Sequence, residues 1–200
     1  MREIVEGILG WSRLSAPHGY DFNGYLVRHP GGNVCVDPVE PDADDLAVLE
    51  REGVASIVLT NRNHVRRADL VRARTGAPVL IHPADAAHAR AQGATIDGEL
   101  QPGGQVGPFT VVAVPGKSPG EVALYCPRRR LLIVGDAVVG TPPGQLALLR
   151  EQVMDDPVRL RASVRALATL AVETLLTGDG TPVLLDAGAR LGDLVATFPD

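Results

Sequence analysis

Cysteine is nearly absent: Cys35 and Cys126 are the only two in 200 residues. They form no C-x-x-C pair, and each lies in an apolar, strand-like run. The expectation is two buried, reduced thiols rather than a disulfide or a redox centre. Excess positive charge is absent too. The net charge of -5 and a pI near 5.5 exclude a general binder of nucleic acid or of anionic membranes. No apolar run is long enough to cross a bilayer, and none joins a basic start to a small-residue cleavage site. A cytoplasmic protein is expected. Nucleotide-binding loops are missing: Gly103-Gly104 lacks the G-x-G-x-x-G spacing, and no G-x-x-x-x-G-K-[ST] occurs. Aromatics are scarce at 4%, while Ala and Arg are common. That bias fits gene base composition and points to no function.

Glycine and proline are plentiful, at 22 and 16 residues, so the chain turns often. Phe22 to Arg28 and Asn33 to Asp37, joined through Pro30-Gly31-Gly32, read as a β-hairpin. Asp42 to Glu50 reads as a helix with early acids, and Ala55 to Thr60 as a strand buried on both faces. Ala68 to Thr75 is a helix stopped by Gly76. Pro78 to His82 is the next strand and Ala84 to Gln92 the next helix. Phe109 to Val114, Val122 to Cys126 and Leu131 to Val134 are further strands, with Arg128-Arg129-Arg130 as a solvated turn. Asp156-Pro157 caps a helix whose inner face carries Leu160, Val164, Leu167 and Ala171. Thr174 to Leu176 is a short strand, and Pro182 to Leu194 the last helix. The N-terminal stretch with Trp11 and Tyr20 reads equally as core or interface. The 200 residues suit a single domain with a sizeable core.

Four short motifs carry the chemistry. They are Thr60-Asn61-Arg62-Asn63-His64-Val65-Arg66, Pro115-Gly116-Lys117-Ser118-Pro119-Gly120, Gly135-Asp136-Ala137 and Gly178-Asp179-Gly180. In order and context they resemble the metallo-β-lactamase superfamily, whose pattern is T-H-x-H-x-D-H, P-G-H-[ST]-x-G, G-D-A and G-H-G. The resemblance runs from about Phe22 to Leu191. It implies an α/β fold, a four-layer αβ/βα sandwich, with a site at the strand ends.

In that family two zinc ions activate a shared water. Carried over by position, one zinc would fall to Asn61, Asn63 and Lys117, the other to Val65, Arg66 and Asp179, with Asp136 bridging. Amides are weak zinc ligands, valine offers no donor, and lysine and arginine repel the ion. The expectation is therefore no metal cofactor; any metal that binds would use Asp136 and Asp179. His64 falls in the motif's variable position, as a polar loop residue or a general base. His18, His29, His82 and His88 match no ligand position.

The replacements bring two cations and two anions together. Asp136, Lys117, Asp179 and Arg66, bridged by Asn61 and Asn63, are expected to form a charged ring in place of the metals. Asp136 and Asp179 favour the charged form of Lys117 over an amine nucleophile. Three readings stay open. In the first, the cleft binds a small anionic ligand through Asn61, Asn63, Arg66, Lys117, Asp136 and Asp179. In the second, the chain is a hydrolase, with an unusual metal site or with metal-free acid-base chemistry by Lys117, Asp136 and His64. In the third, salt bridges close the cleft and the protein is structural. A homodimer is the base-rate expectation. Gln145 to Gln152, after Pro142-Pro143-Gly144, are expected to shape access to the cleft.

Overall fold

The computed structural model describes residues 1–199. Strand β1 (Arg2–Val5) pairs antiparallel with β2 (Ile8–Ser15), which pairs along its whole length with β3 (Tyr20–Val27). The expected hairpin joins β3 to β4 (Val34–Val36). Then come α1 (Ala43–Glu52), β5 (Ser56–Val58), α2 (Ala68–Thr75), β6 (Val79–Ile81), α3 (Pro83–Ala91) and β7 (Gly98–Glu99). Strands β4 to β7 run parallel. The second half holds β8 (Gln105–Val106), β9 (Phe109–Ala113), β10 (Val122–Cys126), β11 (Leu131–Val134), α4 (Pro157–Leu167), β12 (Thr174–Thr177) and α5 (Ala187–Val195). Strands β8 to β11 are antiparallel neighbours, and β12 lies parallel to β11. The result is two mixed sheets, of seven and five strands.

Alternation along the strands builds the four layers, because successive side chains leave a strand on opposite faces. Val34, Val36 and Val58 face Val111, Leu124 and Ile133 across the space between the sheets. Cys35, Ile57 and Leu59 point the other way, onto Leu49 of α1, Val71 of α2 and Ala86 of α3. On the second sheet Leu132 and Val134 turn outward onto Leu160 and Val164 of α4 and Leu191 of α5. Both cysteines are buried and free, as expected. The N-terminal stretch proves to be core: Trp11 is buried and its indole N–H donates to the Val39 carbonyl at 3.1 Å.

The two helix ends read from sequence are present: the Asp156 carboxylate accepts from Arg159 N–H at 2.9 Å, and Gly76 ends α2 in the left-handed conformation. On α1 Asp42 and Asp45 add a reciprocal capping box. The last helix differs from the reading of 182–194. It starts at Ala187, because Val183 exchanges two backbone hydrogen bonds with Leu175, at 2.7 and 2.9 Å, and Asp186 takes a left-handed φ of 56°. Backbone pairing with β12 overrides the apolar periodicity there.

The strand ends at one edge of the sandwich carry all four motifs. The backbone stitches that edge across the sheets: Val122 N–H donates to Thr60 carbonyl at 2.9 Å, and Asn23 N–H to Gly178 carbonyl at 2.8 Å. No helix among the described residues is long and apolar enough to cross a membrane.

Candidate active-site cleft

His64 is the centre of the site. The loop after β5 folds back under it, and the ring is only 2% exposed. Its Nδ1 lies 2.8 Å from Asp37 Oδ2 and its Nε2 3.2 Å from Asp136 Oδ1. Asp37 also accepts from Thr60 N–H at 2.8 Å and from the Thr60 hydroxyl at 2.6 Å. It adopts a left-handed φ of 45°, which an aspartate tolerates better than most residues. Two glycines leave room for the ring and the loop. A Cβ at Gly178 would stand 2.7 Å from His64 Cε1, and one at Gly135 would stand 2.3 Å from Thr60 Oγ1.

Burial and the Arg66 guanidinium oppose a charge on His64, but the Asp37 and Asp136 carboxylates outweigh them and raise its pKa to about 10. The ring is an imidazolium that donates on both sides. Arg66 Nη2 at 3.1 Å from Nε2 is then a repulsive neighbour, since that nitrogen cannot also accept. A raised pKa in the folded state stabilises the fold fully below about 6.5, the unfolded value, and that stability is lost as pH climbs through about 10. Unfolding free energy is therefore expected to fall by up to about 1.4 kcal/mol per pH unit between those limits. Chemical denaturation across pH 6 to 11 checks this, and His64→Asn should flatten the alkaline slope.

The charged ring read from sequence closes as two linked pairs. Lys117 Nζ lies 3.3 Å from Asp136 Oδ2 and donates to Asn63 Oδ1 at 3.2 Å. Arg66 Nη2 donates to Asp179 Oδ1 at 2.5 Å, and Nη1 to the Asn23 carbonyl at 3.0 Å. The guanidinium also lies 4.7 Å over the Phe22 ring. Asn61 stays inside its loop, where its Oδ1 accepts from Asn63 N–H at 2.8 Å and its amide faces Glu121 at 3.4 Å. Burial works against ionised Asp136, yet His64, Lys117 and Arg66 hold its pKa below the usual carboxylate range. Asp179 goes the other way: burial and Asp136 outweigh His64 and Arg66 and raise it.

Three site residues escaped the sequence reading. Asp37 is the anchor just described, and it showed only as the end of a strand. Glu121 is fully buried behind Lys117, and burial with nearby Asp136 raises its pKa well above normal. Its Oε2 has no partner among the described residues, as a protonated, weakly accepting acid tolerates better than a charged one. Asp85, at the start of α3, accepts from the Ser118 hydroxyl at 2.5 Å, Gly120 N–H at 2.9 Å and Arg62 N–H at 2.9 Å. It ties the Lys117 loop to the Asn61–Arg66 loop. Asp85→Ala leaves those donors buried without an acceptor and is expected to cost about 2–4 kcal/mol, read from the urea midpoint. His18 lines the cleft beside Tyr20 and Phe22, whereas His82 caps α3, and His29 and His88 lie elsewhere.

Above the cluster opens a cleft of about 690 Å³. Asn63, His64, Lys117 and Asp136 form its floor, Tyr20 and Phe22 one wall, and the segment Thr141 to Val153 the other. The segment expected to shape access does lie over the site.

A model of the metallo-beta-lactamase superfamily matches residues 5–198. The chain belongs to that superfamily. It is 30% identical over 177 residues to a hydroxyacylglutathione hydrolase of Acidiphilium cryptum (strain JF-5), covering 84% of this chain and 67% of that protein. Among solved structures, the protein TTHA1623 in a di-iron-bound form is 28% identical, with a TM-score of 0.69 over 90% of this chain and 98% of the other. The DIM-1 metallo-β-lactamase superposes with a TM-score of 0.78 at 15% identity, covering 98% and 95% of the two chains, a likeness of fold.

Superfamily membership raises the question of a metal pair. At the seven positions the motifs assign to ligands stand two asparagines, a valine, an arginine, a lysine and two aspartates. Arg66 and Lys117 are ion-paired to those aspartates. That donor set does not fit two divalent ions. Among the described residues, His64, Asp136 and Asp179 are the one group of three donors close together, with ligand atoms all within 4.8 Å. They make an incomplete set for a single ion.

Proposed function

We propose that the cleft is a hydrolytic site for a small acyl compound, in which fixed side-chain charges do the work of a metal pair. The carrying observation is the open cleft whose floor presents Lys117 and Asn63 side by side. The Lys117 ammonium has three N–H groups, and Asp136 and Asn63 take two of them. The Asn63 amide N–H₂ has no partner among the described residues. Together they form a donor pair for a carbonyl oxygen as it gains charge, in a site partly shielded from water.

Asp179 supplies the base, since its raised pKa makes it the better proton acceptor of the two carboxylates that line the cleft. Water adds to the carbonyl carbon as Asp179 takes its proton, and the oxyanion forms on Lys117 and Asn63. Collapse then breaks the acyl bond, and the proton returns from Asp179 to the leaving thiolate or alkoxide. His64, locked between Asp37 and Asp136, keeps Asp136 charged so that Asp136 holds Lys117 in place.

The likeness to a hydroxyacylglutathione hydrolase supports acyl hydrolysis as the reaction class. A second reading is a single-ion site on His64, Asp136 and Asp179, favoured by their spacing and by the di-iron form of a relative. Elemental analysis after dialysis and incubation with zinc, manganese and iron separates the two. The proposal expects thioester and ester hydrolysis that survives chelation, with less than one ion per chain. Stoichiometric metal that is lost in Asp179→Asn, together with activity lost on chelation, would replace it with the second reading.

A further inference from the structure

The proposed reaction uses the floor of the cleft and leaves its mouth without a role. Arg150 stands there, exposed on the lip. Two acids that follow it in sequence are already paired, Glu151 with Arg161 at 2.7 Å and Asp155 with Arg62 at 2.6 Å. No carboxylate among the described residues pairs with Arg150. The segment carrying it is tied down on both sides. Val139 and Ala147 exchange two backbone hydrogen bonds at 2.9 Å, and Asp156 N–H donates to the Gly116 carbonyl at 2.8 Å. Leu146 and Met154 are buried in the outer core. The backbone that presents the guanidinium is thus fixed before any ligand arrives.

Tyr20 faces it from β3, half-buried. Burial first, then Asp179 and Asp136, raise the pKa of its hydroxyl against the pull of Arg150 and Arg66, so it lines the cleft as a neutral donor. The remaining wall is apolar, with Leu148, Leu149 and Val153 lining the cleft.

Charge balance says where an anion would settle. On the floor three cations, His64, Lys117 and Arg66, meet three carboxylates, Asp37, Asp136 and Asp179, within ion-pair distance. At the mouth Arg150 is unbalanced, and a guanidinium offers a carboxylate two parallel donors. We propose that Arg150, with Tyr20 beside it, binds the acidic end of the substrate, and that the cleft acts on acyl compounds carrying a carboxylate remote from the bond to be cleaved. The apolar wall would take the methylene chain between the two ends. This rests on the hydrolytic reading for the reaction, though not for the binding.

Length-matched p-nitrophenyl esters test it: the valerate, the glutarate half ester and the 4-aminobutyrate. Glutarate and valerate themselves serve as ligands in calorimetry. The half ester is expected to have the highest kcat/KM. Arg150→Gln should lower that value, and the affinity for glutarate, about tenfold, or about 1.4 kcal/mol, while leaving valerate and its ester unchanged. Arg150→Glu should turn the preference toward the aminobutyrate ester, a reversal that loosened structure would not produce. Equal losses on all three esters, or no loss, would overturn the proposal. Tighter, Arg150-dependent binding of a phosphate-ended analogue than of glutarate would overturn the carboxylate assignment. Arg150-dependent glutarate binding without cleavage of any ester would sink the hydrolytic reading and uphold the mouth site.

Discussion

Replacing Asp37 with alanine is expected to cost about 3–5 kcal/mol of unfolding free energy. The substitution strips the acceptor from Thr60 N–H, the Thr60 hydroxyl and His64 Nδ1 in one step, at a site that is 1% exposed. It also leaves a buried imidazolium with one fewer counter-charge, so the ring must shed its proton or its loop must open. Asp37→Asn keeps an acceptor for Thr60 and loses the charge, so its loss should be smaller and should shrink as pH rises and His64 becomes neutral. Urea unfolding of both variants at pH 7 and pH 10 reads this. An Asp37→Asn loss of the same size at pH 7 and pH 10 would mean that His64 is neutral in the native protein.

The sheets were legible because their strands obey local rules. Val122 to Cys126 and Leu131 to Val134 are apolar runs of strand length between turn residues, and both bounds agree with the structure. The stop at Gly76 was equally local, a residue that enters the left-handed region at little cost. The short edge strands Gly98–Glu99 and Gln105–Val106 carry no such pattern and were not read. They exist because neighbouring backbones lie alongside.

In the site, motif order located Asn61, Asn63, Arg66, Lys117, Asp136 and Asp179, and the structure gathers all but Asn61 directly around the cleft floor. Their linkage was beyond the sequence. His64 looked peripheral because it occupies the motif's variable position, yet the left-handed turn at Arg66, with φ of 37°, lets the loop fold it inward. Asp85 joins the Lys117 loop, and Glu121 meets Asn61, only through contacts between residues far apart in the chain. One sequence signal was available and unused: Lys117 is the only lysine, against 18 arginines. A chain that otherwise takes its fixed positive charge from arginine places its one lysine ammonium between Asp136 and Asn63 on the cleft floor.

That singularity makes Lys117 the residue whose loss should be most visible in activity. Lys117→Ala is expected to lower turnover of a cleaved ester by about 10²–10³-fold, the usual effect of deleting one oxyanion donor. KM should change little, because the interaction strengthens only as the oxygen gains charge. Stability should fall far less than for Asp37→Ala, since Asp136 keeps its contact with His64 at 3.2 Å. Lys117→Arg restores the charge but not the geometry: a planar, longer fork cannot place a donor where Nζ now stands between Asp136 and Asn63, and activity should not return. Reductive methylation with a carbon-13 label offers a direct check, because one side-chain signal is expected besides that of the terminal amine. That signal should shift when a product acid fills the cleft and should be lost in Lys117→Arg. Turnover unchanged in Lys117→Ala, with the labelled signal indifferent to product, would remove Lys117 from the reaction and leave its pair with Asp136 as part of the fold alone.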